Sequence, residues 1–249
     1  MSHIISIANQ KGGVAKTTTA HALAAGLHEQ GKKVLLVDLD AQCNLTYIAG
    51  ITKPKQTILE VLQGAEPTPV PCNVGDIIAG NSFIGNADLG TAGKEFRLKN
   101  VLGPIANNYD YIILDTPPSL SMLTLNALTF SDKVIIPTQA DIFSLQGIQQ
   151  LNNTIQAVRQ TTNKDLETGG LLITRYSGNT ILSKDLKIVM EKAAKELGIK
   201  LFNTVIREGI AVKEAAAKRE DLFTYAPKSN AAQDYSSAIH EILKGDARK

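Results

Sequence analysis

Residues 9 to 18 read Asn-Gln-Lys-Gly-Gly-Val-Ala-Lys-Thr-Thr, directly after the apolar run His3-Ile4-Ile5-Ser6-Ile7-Ala8. Few short segments restrict a fold so strongly. Glycines let the backbone curl until several N–H groups face inward, where phosphate oxygens fit. A stretch rich in Ala, Leu and Thr runs from Lys16 to about Gln30 and stops at Gly31, so the loop opens a helix. The positive end of that helix's dipole adds to the same site. Lys16 stands where an ammonium reaches β- and γ-phosphates, and Thr17 where a hydroxyl reaches Mg²⁺. Gly12, Gly13, Val14, Ala15 and Thr18 complete the candidate cradle. A bare glycine turn would not need the Lys-Thr pair at this spacing.

The rest of the chain repeats strand and helix in alternation. Further β-rich runs lie at 33–38, 109–115, 133–137 and 170–174, with helix-like stretches at about 92–107, 121–130, 144–160, 181–197 and 229–243. The strands are nearly continuous in apolar residues, as when helices cover both faces of a parallel sheet. The expected fold is therefore α/β: a doubly wound, mostly parallel sheet with helices on both faces, formed by residues 1–249 as a single domain. Ligands of such sheets sit at the carboxyl ends of the strands. Segment 64–91, dense in Pro, Gly and Asn, reads as a surface excursion.

Two strand ends are acidic. The second strand runs out through Val37-Asp38-Leu39-Asp40, and alternation puts both carboxylates on one side. A carboxylate here suits orienting an attacking water or holding Mg²⁺ through water; a helix cap or turn residue is the alternative. The third strand ends Ile112-Ile113-Leu114-Asp115-Thr116-Pro117-Pro118, an apolar run closing on Asp, as in a Walker B strand. Asp115 is then expected to bind Mg²⁺ through water beside Thr17. Pro117 and Pro118 stiffen a following loop suited to sensing a γ-phosphate.

Composition narrows the remaining classes. Hydrophobic residues at 43% and charged residues at 20% are enough for a sizeable globular core. No apolar run approaches the roughly 18 residues of a membrane span, and residues 1–5 lack the basic region of a signal peptide. Cys43 and Cys72 fit no metal spacing and are expected to be reduced structural thiols in a cytoplasmic protein. A net charge of +2 neither announces nor excludes a nucleic-acid face.

The phosphate loop departs from the usual spacing. Ala15 and Gln10 stand where glycines are normal, and a second lysine, Lys11, sits near the loop start. This resembles the deviant Walker A motif of the ParA/MinD superfamily, Lys-Gly-Gly-x-Gly-Lys-Thr-Thr, with Ala15 one methyl away. Should the backbone need positive φ there, alanine would cost about 1–2 kcal/mol. The segment Asp38-Leu39-Asp40-Ala41-Gln42-Cys43-Asn44 resembles the family's Asp-x-Asp-Pro-Gln-Gly-Asn stretch. Asn126-Ala127-Leu128, Pro137-Thr138-Gln139-Ala140-Asp141, Leu145-Gln146-Gly147, Glu214-Ala215 and the run from Tyr225 to Tyr235 look like partition ATPases of the ParA/Soj type. The likeness covers nearly the whole chain. With the loop so near the start, no N-terminal helix-turn-helix extension is expected.

That resemblance implies an ATPase that uses ATP and Mg²⁺. Lys11 would cross a dimer interface to phosphates held by the other subunit. Lys11, Lys16 and Asp40 would be catalytic. Thr17 would bind the metal, with Asp115 and Asp40 joining through water. Thr174, Arg175, Ile206 and Arg207 would lie near the adenine. An ATP-closed homodimer would bind double-stranded DNA without sequence preference, associated with the nucleoid. A ParB-type centromere-binding partner would stimulate hydrolysis, driving plasmid or chromosome segregation.

Charge supports the DNA face less directly. Lys184, Lys187, Lys192, Lys195, Lys213, Lys218, Arg219 and Lys228 gather in the last third, interspersed with Asp185, Glu191, Glu196, Glu220 and Asp221. A position often basic in chromosomal relatives is Ala211. A MinD-like membrane ATPase would need a basic amphipathic C-terminal helix, against which Glu241, Gly245 and Asp246 argue. An iron–sulfur reductase would need cysteines beyond Cys72, and the sequence has none. A nucleotide-binding scaffold without turnover would follow if Ala15 disabled the loop.

Overall fold

The computed structural model describes residues 2–178 and 181–244. Among these, eight strands form one sheet: β1 (His3–Ile7), β2 (Val34–Asp38), β3 (Val70–Cys72), β4 (Gly75–Ile78), β5 (Tyr111–Asp115), β6 (Lys133–Thr138), β7 (Glu167–Tyr176) and β8 (Leu201–Arg207). The helices are α1 (Lys16–Glu29), α2 (Asn44–Ile48), α3 (Ile58–Leu62), α4 (Arg97–Ala106), α5 (Met122–Phe130), α6 (Ile142–Thr161), α7 (Ile181–Glu196), α8 (Ile210–Lys218), α9 (Leu222–Tyr225) and α10 (Asn230–Leu243). The strand order is β3-β4-β2-β5-β1-β6-β7-β8. Every neighbouring pair is parallel except β3 with β4. The doubly wound, mostly parallel sheet read from the sequence is what the chain forms.

Period-2 alternation sorts the central strands onto two faces. Ile5, Ile7, Leu36, Ile113, Ile135 and Leu172 point to the side packed by α1 and α8–α10. Ile4, Leu35, Val37, Ile112 and Leu114 face α3–α5, while Val134, Ile136, Leu171 and Ile173 face α6 and α7. Both faces are buried, which explains the unbroken apolar strands.

Register then aligns the strand ends. Ile7 and Asp38 are both Cα partners of Asp115. The glycine loop therefore leaves β1 beside two acidic strand ends, at the carboxyl edge of the sheet.

Segment 64–91 corrects the expectation of a surface excursion. It contains the hairpin β3–β4, and β4 pairs with β2. Val74, Ile77, Ile78 and Ala79 are buried. Pro71 is tolerated because β3 is the sheet edge, where a missing N–H costs no ladder bond. At Gly75, φ is +127° and an added Cβ would lie 2.5 Å from the Val34 carbonyl oxygen, so the turn requires glycine. β8 and α8 also escaped the sequence reading; β8 is an edge strand, mixed in polarity.

Among the described residues no helix is long and apolar enough to cross a membrane. The apolar side of α10, including Tyr235, Ala238, Ile239 and Ile242, belongs to the core. Gly245 and Asp246 lie outside the described residues.

Candidate functional site

The loop after β1 is held from its outer side. Asn9, buried, donates from Nδ2 to the Pro137 carbonyl (2.7 Å) and accepts the Lys11 N–H at Oδ1 (2.9 Å). The Thr174 hydroxyl at the end of β7 lies 3.1 Å from the carbonyls of both Val14 and Thr138. Gln139 Nε2 and an Arg175 guanidinium nitrogen each donate to the Gly13 carbonyl at 3.2 Å. In a trans peptide N–H opposes C=O, so these tethers turn the Val14 and Ala15 N–H groups away from β6 and β7, as an anion cradle needs.

Two loop residues take left-handed backbone. Gly13 has φ +76°, which glycine adopts freely. Ala15 has φ 62° and ψ 31°, so the conditional cost read from the sequence is incurred. The carbonyl of Ala15 accepts the Thr19 N–H at 2.9 Å, starting α1. The methyl is thus held in a conformation glycine would adopt more cheaply. Cys43, in the other segment where the family pattern has glycine, repeats this at φ 53°.

The loop opens on a cavity of about 390 Å³. Gly12, Gly13, Ala15, Lys16, Thr17, Thr18 and Asp40 line it, together with Thr174, Arg175, Ile206 and Arg207. All four residues expected near a base therefore meet the phosphate loop across one space. Val14 lies fully buried beneath the loop and offers the cavity no side chain. Lys11 is also absent from the lining: its Nζ pairs with Asp141 Oδ2 at 2.5 Å.

Charge inside the site is concentrated and buried. Lys16 is 7% exposed, and its Nζ donates to the Lys11 carbonyl at 3.2 Å. Burial lowers its pKa, while Asp115 and Asp40 pull it upward. Asp115 is buried and neither carboxylate oxygen has a well-formed hydrogen bond. Burial holds its pKa well above the usual carboxylate range and Asp38 adds to the rise, opposed by the Thr17 hydroxyl and Lys16 beside it. An orphaned, buried carboxylate is costly unless a cation or water completes it. The donors here are all oxygen, the set a hard cation such as Mg²⁺ prefers. Among the described residues no three His, Cys, Asp or Glu side chains form a metal cage. Mg²⁺ needs none, since it keeps several waters and takes substrate phosphates as ligands.

Asp38 and Asp40 differ. Asp38 accepts from the Thr46 N–H (2.9 Å) and hydroxyl (2.7 Å) at Oδ2, and from the Asp40 N–H (3.2 Å) at Oδ1. Burial lifts its pKa to about 6 despite these bonds. Asp40 lines the cavity and accepts the Gln42 N–H at 3.1 Å. The turn role is thus real, and it leaves Asp40 facing the cavity.

Sequence reasoning missed several lining or supporting groups. Glu208, Gly209, Val212 and Tyr235 line the cavity. Glu208 pairs with Arg175 at 3.0 Å and Asp234 with Arg207 at 2.7 Å. They come from the β8–α8 connection, α8 and α10, which only the fold carries back to the loop. Asp141 carried one local signal: it precedes a helix and accepts the Ser144 N–H at 2.9 Å, a cap of α6. Nothing local marked it as the partner of Lys11.

Residues 2–168 match a family model described as an AAA domain. Over 254 residues the chain is 39% identical to the sporulation initiation inhibitor protein Soj of Bacillus subtilis, covering 97% of this chain and 98% of that one. It is 36% identical over 253 residues to the chromosome partitioning protein ParA of Caulobacter vibrioides, covering 96% and 93%. A crystal structure of cobyrinic acid a,c-diamide synthase from Mycobacterium smegmatis, with bound ATP analogue and magnesium, superposes with a TM-score of 0.86 at 33% identity, covering 100% and 97%.

Proposed function

The chain belongs to the ParA/Soj family of partition ATPases, and on that premise we propose that it is an ATP-driven, dimerising DNA-binding switch. The observation that carries this reading is the single cavity shared by the phosphate loop, Asp40 and the ends of β7 and β8. A triphosphate on the loop would leave its base among Thr174, Arg175, Ile206 and Arg207.

Lys16 binds the β- and γ-phosphates; its low exposure means little water competes for the ammonium. The Thr17 hydroxyl would hold Mg²⁺, with Asp115 and Asp40 joining through water. When bound, that ion would supply charge neutralisation to the phosphates. Asp40 orients the attacking water as a hydrogen-bond acceptor. Asp38 holds the Asp40 segment through the Asp40 N–H. Lys11 serves the phosphates of a second copy, so that dimer formation depends on ATP, in the manner of an arginine finger.

The closed dimer binds double-stranded DNA through backbone contacts, and a ParB-type partner triggers hydrolysis and release at the nucleoid. Lys184, Lys192, Lys195, Lys218 and Lys228 are exposed and suit that surface. Lys187 is partly engaged with Glu191, and Arg219 lies over the Tyr47 ring. Pairing two copies doubles a modest patch.

The test is steady-state ATP turnover with and without Mg²⁺, DNA and the centromere-binding protein. Turnover should require Mg²⁺ and rise when DNA and partner are both present. Lack of turnover under all conditions would overturn the reading.

A further inference from the structure

Lys11 is the lysine proposed above to act on a second copy's phosphates, yet its ammonium is already engaged within its own chain. Its Nζ sits 2.5 Å from Asp141 Oδ2, across 130 residues of sequence. Asp141 is itself fixed: Oδ1 accepts the Ser144 N–H at 2.9 Å and Oδ2 accepts the Ser144 hydroxyl at 2.9 Å, capping α6. At the other end of the residue, Asn9 holds the Lys11 N–H and Lys16 Nζ donates to the Lys11 carbonyl. The lysine is therefore pinned at backbone and side chain, outside the cavity.

We infer that Asp141 is a cis latch on Lys11, which ATP-dependent dimerisation must open and which sets the ATP concentration at which two copies close. The inference rests on the trans role of Lys11. An ammonium cannot keep a short, direct carboxylate contact and give its full charge to a phosphate elsewhere. Opening the latch therefore costs part of what the phosphate contact returns. The pair is about one-third exposed (34% for Lys11, 27% for Asp141), so water and salt weaken it and the latch is reversible. Two latches open per dimer, so the effect on closure is counted twice.

The experiment compares wild type, Asp141→Asn and Lys11→Ala by size-exclusion chromatography with light scattering across an ATP titration. Asparagine caps a helix about as well as aspartate, so α6 should survive in Asp141→Asn. That variant should dimerise at roughly three- to ten-fold lower ATP, with monomer affinity for a fluorescent nucleotide unchanged. The difference from wild type should shrink as salt rises toward about 0.5 M, because an ion pair is screened and a structural cap is not. An unchanged or higher ATP threshold in Asp141→Asn would overturn the latch. Should Asp141→Asn fail to fold, Asp141→Ser, which also caps, is read by the same criteria. Lys11→Ala separates the two ideas: a normal ATP dimer in that variant defeats the trans role itself. Loss of the dimer there with no shift in Asp141→Asn defeats the latch alone.

Discussion

Asp38 and Asp115 are register partners on adjacent strands, yet their carboxylates are treated oppositely. Asp38 receives three hydrogen bonds, from Thr46 and Asp40, whereas Asp115 has no well-formed one. Gly80 explains part of the crowding around Asp38, since an added Cβ there would lie 2.9 Å from the carboxylate. One acid is built into the turn that carries Asp40. The other is left with coordination capacity beside Lys16 and Thr17. This division suggests where substitutions will act on structure and where on chemistry.

Lys16→Ala should reduce ATP affinity by about a hundredfold or more. It removes a buried ammonium whose charge-assisted bonds are each worth about 1.5–3 kcal/mol. A fluorescent-nucleotide titration checks this, and undiminished binding would sink the phosphate-loop assignment.

Ala15→Gly should stabilise the nucleotide-free protein by up to about 1.5 kcal/mol. Relief of left-handed backbone at φ 62° is worth about 1–2 kcal/mol, and the added freedom of glycine in the unfolded chain takes back about 0.4–1. Ala15→Val should move the midpoint the other way. Denaturant melts of the three proteins decide; a clear loss of stability in Ala15→Gly would contradict the strain argument.

His21 should make stability fall on mild acidification. It is buried on α1 with Nε2 3.1 Å from Asn73 Oδ1, and burial lowers its pKa, with Asn73 and Asp221 opposing. The unfolded chain then binds a proton more readily than the native one between the folded pKa and about 6.5. Stability is therefore full above about pH 6.5 and declines as pH falls through that window. Melts across pH 5 to 8 should show a shallower decline in His21→Gln than in wild type. Equal slopes would remove His21 as the cause.

Asp40→Ala should separate binding from turnover. The loop, Lys16, Thr17 and Asp115 remain, so ATP and Mg²⁺ still bind and the dimer still closes. What goes is the carboxylate that orients the water, and the chemical step depends on that placement. The variant should persist as an ATP dimer with longer-lived, salt-sensitive, sequence-independent DNA binding. Gel shifts on two unrelated duplexes, with ATP or ADP over a salt range, read this out. Tight binding with ADP, or preference for one duplex, would overturn the switch. Normal turnover would remove Asp40 from the catalytic role.

The sequence by itself determined the sheet's centre and the loop. β1, β2, β5 and β6 are runs whose apolar continuity reports burial on both faces, and Gly12-Gly13 with Lys16-Thr17 encodes a phosphate cradle within ten residues. Such features are local, so spacing records them. The margins were less legible: the edge strand β3 carries a proline, β4 beside it opens on a glycine, and the opposite edge strand β8 mixes polar with apolar residues. An edge strand is half solvated, and its composition resembles a loop. Only the tertiary structure decided that Thr174, Gln139 and Arg175 tether the loop's carbonyls, that Asp38 is saturated while Asp115 is not, and that Lys11 rests on Asp141. Asp38 takes its bonds from the turn two to eight residues on, whereas the loop tethers and the Lys11–Asp141 pair join residues far apart in sequence. Strand order and register bring them together at one edge of the sheet, and no local pattern contains that information.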